Sequence, residues 1–360
     1  MTIDNSNSNS NSNTNSNSNN NNNSNNNNKN MRSTATPTMK NNVRKICLFG
    51  TSANPPTNAH VGVVEALMKL KEFDEIHILP VYSHTFHSKR NQLIDYNHRV
   101  AMCEVAFQEL IIMRTMNNQK QNDNDDDCDD CDASSATTTT TATTKTTATK
   151  VVVSRAEEDS FNRMCSSLSA SSNNKDGVIT EEERSNLRVG TADLLEMLIK
   201  QEQQQQEGNT EEEVLHAEFS FCLGADTFMD LTDWKWNRSK DVLKLLDGRL
   251  VVVNRKQHDN KQQQEGNNNH EQKQEELELE LELEQKKLMI LLRQRIDYIN
   301  TSLNGQVILL DVPTLGNISS SMARSMLSSK NGGDQIENLK NTLPLTVVDY
   351  IRKHKLYGAI

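Results

Sequence analysis

Long apolar runs are missing from this 360-residue chain. No stretch approaches the ~18 residues that a membrane-spanning helix needs, so no membrane span is expected. The first residues carry no positively charged start followed by an apolar stretch, so no secretory signal is expected. Hydrophobic residues make up only 34% of the chain, but that scarcity is local. Residues 5–28 are almost entirely Asn and Ser, a composition that builds no core and predicts disorder. Polar tracts recur over about 117–149, 160–186, 201–213 and 256–284. Setting these aside leaves roughly 200 residues of ordinary composition, about one domain. The expected organisation is a disordered tail over 1–42 and one domain over 43–360 that the four inserts interrupt.

Basic excess is also lacking. The net charge is −10, much of it in inserts such as "DNDDDCDDCD", which argues against nucleic-acid binding but not against a local pocket for a phosphate. The six cysteines, Cys47, Cys103, Cys128, Cys131, Cys165 and Cys222, are scattered. Cys47 and Cys222 fall in strand-like runs and read as buried thiols, the usage of a reducing compartment. The cytoplasm is the expected location; the stretch "RSTATPTMK" after Met31 leaves a plastid or a nucleus open. Cys128 and Cys131 form a C-x-x-C with no second pair or His at finger spacing, and a structural zinc site needs four ligands. "SNNKDGVITEEE" (172–183) has EF-hand spacing through Asn174, Asp176, Gly177, Ile179 and Glu183. Ser172 stands where the first ligand belongs, so the stretch reads as a solvated loop.

What is present alternates in type. Strand-like runs are 43–50, 75–81, 151–155, 218–224, 249–255 and 306–312, short and apolar. Helix-like runs are 60–71, 96–113, 191–200, 226–233, 239–248, 319–329 and 346–354. "LELELELE" (277–284) alternates like a strand, but Leu and Glu are strong helix formers, and a helix running into "QKKLMILLRQRIDYI" is expected. The pattern predicts an α/β, Rossmann-like parallel sheet with helices on both faces and a C-terminal helical segment. Ligands of such sheets bind at the carboxyl ends of the strands, near a switch in strand order. That rule draws Gly50–His60, Leu79–Lys89, Gly224–Asp226 and Pro313–Ser319 around one crevice.

The stretch "GTSANPPTNAH" (50–60) joins the first strand to the first helix. Gly50 and the small Thr51 and Ser52 let a backbone approach a phosphate, and Pro55 and Pro56 stiffen the turn. Thr57 stands where it caps the helix, and His60 lies in the first turn, where a helix N-terminus attracts anions. Thr57 and His60, three residues apart, are expected to form a small anion cradle with the turn; a capped helix with a partly buried His is the alternative.

This turn resembles the (H/T)-x-G-H signature of the nucleotidylyltransferase superfamily, and "NISSSMAR" (317–324) resembles its I-S-S-T-x-x-R signature. "LPVYSHTFHSKRNQLIDYNHRVAM", "VGTADLLEML" and "FCLGADTFMDLTDWKW" are similar to segments of the nicotinate/nicotinamide mononucleotide adenylyltransferase family. The resemblance implies adenylyl transfer from ATP to nicotinate or nicotinamide mononucleotide, with Mg²⁺ carried by ATP. It implies that His60, Lys89 and Arg324 carry catalysis. It implies that ATP is held by Gly50, Thr51, Ser52, Asn54, Thr57, His60, Gly224, Asp226, Ile318, Ser319, Ser320 and Arg324. For the mononucleotide it implies Ser52, Lys89, Thr191, Asp193 and Trp234. Two departures stand out: Ala59 replaces the signature glycine, a problem if that position needs a positive φ, and Ser321 replaces the usual Thr. Another nucleotidylyltransferase, using CTP or a pantetheine phosphate, and a non-catalytic scaffold are the rival readings. An oligomer is left open.

Overall fold

A computed structural model describes residues 43–83, 91–122, 149–171, 179–207, 216–254, 268–312, 318–328 and 335–358. Its centre is a parallel sheet of six strands: β1 (Val43–Thr51), β2 (Glu75–Pro80), β3 (Lys150–Val153), β4 (His216–Gly224), β5 (Arg249–Asn254) and β6 (Gln306–Asp311). Their spatial order is β3-β2-β1-β4-β5-β6. Every neighbouring pair is parallel; Phe49 of β1, for example, lies opposite Ile78 of β2 and Cys222 of β4. The order reverses between β1 and β4, and the crevice at the carboxyl ends of these two strands is where a ligand is expected.

Helices cover both faces, as expected for a parallel sheet. In chain order they are α1 (Asn58–Leu70), α2 (Tyr96–Asn122), α3 (Ala156–Ser171), α4 (Glu181–Asn186), α5 (Thr191–Glu207), α6 (Ala225–Thr232), α7 (Ser239–Leu245), α8 (Asn268–Ser302), α9 (Ser320–Ser328), α10 (Gln335–Thr342) and α11 (Leu345–Lys353). Strand side chains alternate between two cores. Cys47, Phe49, Ile76, Ile78, Val251 and Val253 face one core with α1, α2, α9 and α11. Ile46, Leu48, Leu79, Leu250 and Val252 face the other with α5, α6, α7 and α8. Cys47, Cys103, Cys165 and Cys222 are buried free thiols. No described helix is long and apolar enough to cross a membrane.

The alternating "LELELELE" is helical within α8. Two expectations need correction. The stretch over 160–186 carries structure: α3 buries Ala156, Ser160, Phe161 and Cys165 along one side. Its apolar stripe is too sparse for periodicity to register in so polar a sequence. The end of the stretch read as a solvated loop is helical: in α4, Thr180 and Glu183 form a reciprocal capping box, and Glu183 serves the backbone. The rest of that loop over 172–178, the tail over 1–42 and the pair Cys128 and Cys131 lie outside the described residues.

One buried charge on α3 links the fold to pH. Tyr82, just past β2, donates its backbone N–H to Glu157 Oε2 at 2.8 Å. Desolvation outweighs that bond and the nearby Arg99 charge, and pushes the Glu157 carboxyl up to about 7. The folded state therefore binds a proton that the unfolded chain has released. The stability this group contributes is complete below its ordinary value of 4.5 and is lost as pH rises through about 7. Urea midpoints of wild type should fall across that window, and those of Glu157→Gln should fall less; parallel curves would refute the assignment. In the core, Leu67 of α1 is fully buried. Leu67→Ala should cost about 2–5 kcal/mol in denaturant unfolding, and a loss well below that range would mean the face is looser than described.

Candidate active site

Thr51 ends β1, and its buried hydroxyl accepts the Ala53 N–H at 3.2 Å. Ala53 then turns the chain in the left-handed region, with φ at 46°, before a cis Asn54–Pro55 bond. The turn's carbonyls face cationic and hydroxyl donors from elsewhere. Arg99 Nη1 of α2 donates to Ser52 O at 3.1 Å. Arg324 Nη1 of α9 donates to Asn54 O at 2.7 Å, and Ser320 Oγ to Pro55 O at 2.8 Å. The buried Asn54 side chain donates to Gln92 O at 2.7 Å and accepts from Tyr357 Oη at 2.8 Å. The two signature stretches, more than 260 residues apart in the chain, thus meet directly.

His60 follows in the first turn of α1. The Thr57 backbone N–H donates to its Nδ1 at 3.0 Å, and the Thr57 hydroxyl lies 2.8 Å from the same nitrogen. An Nδ1 that accepts from a backbone N–H carries no proton, so the neutral ring holds its proton on Nε2. Thr57 is fully buried, with its hydroxyl turned to the imidazole. Ala59 is a buried residue of α1 that packs into the core. It is not among the described residues with positive φ, so the missing signature glycine costs no backbone strain at this position. The left-handed residue of the turn is Ala53.

Across the crevice, Ser319 caps α9 by accepting the Met322 N–H at 3.2 Å. Arg324 Nη2 also donates to Gln92 Oε1 at 3.0 Å and Ser321 Oγ at 3.1 Å. Ile318 packs against the core. On β4, a Cβ at Gly224 would meet nothing within 4 Å, and its φ of −69° is ordinary. Neither packing nor conformation requires glycine there, and open space is left beside it. Gly50 differs: a Cβ would come within 3.3 Å of the Phe221 ring, so packing between β1 and β4 already accounts for it. Asp226 is exposed in the first turn of α6.

The residues expected around a mononucleotide are less gathered. Thr191 starts α5. Asp193 accepts from Arg238 Nη1 at 2.6 Å, and the same guanidinium grips Glu196, and Asp241 at 2.7 Å. Trp234 has φ at 60° and is 48% exposed, with Lys240 Nζ 5.6 Å from its ring centre, so its face is accessible; Trp236 packs against the core instead. Lys89 lies outside the described residues. Sequence reasoning gave no role to Arg99 or Arg238. Arg99 stands in "YNHRVAM", part of a stretch that carries the resemblance; Arg238 has only Asp241, three residues on, to mark it. Among the described residues, no three His, Cys, Asp or Glu side chains come together as a metal cage.

Residues 48–129, from inside β1 past the end of α2, match the family model described as Cytidylyltransferase-like. No curated protein sequence matches the chain. Among solved structures, it is similar to a Plasmodium falciparum nicotinic acid mononucleotide adenylyltransferase complexed with APC, at 17% identity and a TM-score of 0.44. The same enzyme complexed with NaAD gives the same values; each match covers 88% of this chain and 98% of that one. The segment that holds the turn, His60 and Arg99 is therefore similar to the Cytidylyltransferase-like family.

Proposed function

We propose that this protein transfers the adenylyl group of ATP to nicotinate mononucleotide, or to its nicotinamide counterpart, with release of pyrophosphate. The observation that carries the reading is the meeting of the two signature stretches at one turn: His60 oriented through Nδ1, with Ser320 and Arg324 seated on the same backbone. A scaffold has no use for an imidazole of fixed tautomer beside a guanidinium at the switch point of a parallel sheet. The match over 48–129 supports the same reading.

In this reaction a phosphate oxygen of the mononucleotide forms a bond to the α-phosphorus of ATP. The bond from that phosphorus to the bridging oxygen breaks, and pyrophosphate leaves with the electron pair. No protein nucleophile is needed, so the protein works by positioning and by stabilising charge. His60 donates from Nε2 to the α-phosphate oxygen as charge builds. The capped N-terminus of α9, with Ser319 and Ser320, and the fork of Arg324 face the phosphates that depart. Among the described residues the Arg324 side chain makes three hydrogen bonds, and a guanidinium has five N–H donors. Lys89 adds a further cation by resemblance. Gly224 and Asp226 are assigned to the nucleoside, and Thr191, Asp193 and Trp234 to the mononucleotide. Mg²⁺ would be carried by the triphosphate, with mostly phosphate and water ligands. The cytoplasm remains the proposed location.

Purified protein incubated with ATP, Mg²⁺ and either mononucleotide should form pyrophosphate and a dinucleotide in equal amounts. CTP is the natural control, given the family model matched. His60→Ala should lower kcat by roughly 10²–10³ without changing the unfolding midpoint by more than a small amount. Folded protein that makes no dinucleotide with either mononucleotide would overturn the reading. Near wild-type turnover in His60→Ala would overturn the role given to the ring.

A further inference from the structure

The long helix α8 carries the Leu–Glu alternation, which the proposed reaction leaves without a role. The C-terminal part of the helix is packed: Leu292, Ile296 and Ile299 are buried in the core shared with Leu250, Val252 and Val307. The part before it is not, and every described residue from 282 to 288 is exposed. Three apolar side chains stand out there. Leu279 is 68% exposed, Leu283 52% and Ile290 59%. At about 100° per residue they fall within about 40° of one another around the axis, roughly opposite the buried Ile299. Their spacing is that of a coiled-coil seam, with Lys286 at the seam position between Leu283 and Ile290. Helix that has no packed face is marginal in water, and an exposed apolar stripe on it marks a surface that meets a partner.

Charge along the same helix says which partner. Between Glu271 and Glu284, Lys273 is the one Lys or Arg among acidic residues. From Lys286 on, the order is reversed: Lys286, Lys287, Arg293 and Arg295 stand against Asp297 alone. The helix dipole favours this order of signs only within the first and last turns, so it does not account for the change of sign in the middle of a 35-residue helix. Within the chain, Lys286 pairs with Glu282 at 2.8 Å and Lys287 with Glu284 at 3.0 Å. Both pairs are exposed, and pairs of that kind are weak and readily exchanged. The segments of the chain outside the described residues are rich in Asn, Ser, Thr, Gln and Asp, and none carries apolar residues at helical spacing that could cover the stripe.

We propose that the exposed side of α8 pairs antiparallel with α8 of a second copy of this chain and makes a two-fold dimer. A helix with one acidic half and one basic half is complementary to itself only when reversed, which is what a two-fold interface requires. An axis at the level of Glu284 and Gln285 brings Leu279 level with Ile290 of the second copy, and Leu283 level with its Lys286, whose aliphatic stem can cover a leucine. Glu282 comes level with the second copy's Lys287, and symmetry repeats each pair. Parallel pairing would set like charges side by side. About 20 paired residues span about 30 Å, an interface at the small end of specific contacts, for which a micromolar dimer is expected. This inference does not depend on the adenylyl-transfer reading.

Sedimentation equilibrium of the full chain over about 1–100 µM tests it, and wild type should show a monomer–dimer equilibrium. Leu283→Glu and Ile290→Glu should each raise the dimer dissociation constant at least about ten-fold, with the far-UV circular dichroism of the monomer unchanged, since both side chains are exposed. Lys287→Glu should weaken the dimer by a smaller factor, and adding Glu282→Lys to it should recover most of that loss, because the axis sets the exchanged charges opposite one another again. A wild type that stays monomeric throughout, copies that add into open chains, or a dimer indifferent to both apolar substitutions would overturn the proposal. A double exchange that recovers none of the loss would overturn the antiparallel pairing.

Discussion

Four backbone carbonyls at the head of this sheet point at one buried guanidinium. Arg99 donates to Ile94, Ser52, Val81 and Tyr82 and is 1% exposed. Strands that stop at a crevice leave carbonyls that no sheet partner can take, and a dry, unpaired carbonyl is expensive. A planar group with five donors answers that problem at a single point. The ends of β1 and β2 are pinned to one another through it. Arg324, Ser320 and Tyr357 then hold the same turn from the opposite side. His60 inherits its orientation from this double grip, because Thr57, which fixes the imidazole, closes the gripped segment.

Much of this was legible in the sequence, for reasons that differ from residue to residue. The strands and the core helices carry strong apolar runs, and in a sheet covered on both faces those runs are nearly continuous. His60, Ser319, Ser320 and Arg324 were legible because their neighbours form compact motifs. Arg99 was not, since a cation that binds only carbonyls has no acidic partner to betray it in sequence. Arg238 was not, because two of its three acidic partners, Asp193 and Glu196, lie more than 40 residues away. The concern over Ala59 was misplaced for a local reason: the residue sits inside the helix, and the backbone turn that tests chirality comes at Ala53.

The polar stretch after β3 teaches a related lesson. Composition reads it as solvent-facing filler, yet one buried side of α3 is enough to dock it. Phe161 is the largest apolar contribution to that side, and it stacks on Tyr82 just beyond β2. A helix needs only a narrow stripe to be held once a strand end offers an aromatic partner. The remaining faces of the helix are free to be polar, and average hydropathy then says little about whether the segment is packed.

The two grips on the turn are not alike, and the difference sets how the crevice can move. Arg99 is 1% exposed, and its bonds at the ends of β1 and β2 are largely shielded from solvent. Arg324 and the serines of α9 sit at the surface of the same turn, where a phosphate oxygen competes with a carbonyl on nearly equal terms. The half of the crevice built on β1, β2 and α2 therefore behaves as an anvil. The half contributed by α9 is joined to it by bonds to Asn54 and Pro55, which under the proposed reaction are the ones a phosphate oxygen can exchange without disturbing the sheet beneath.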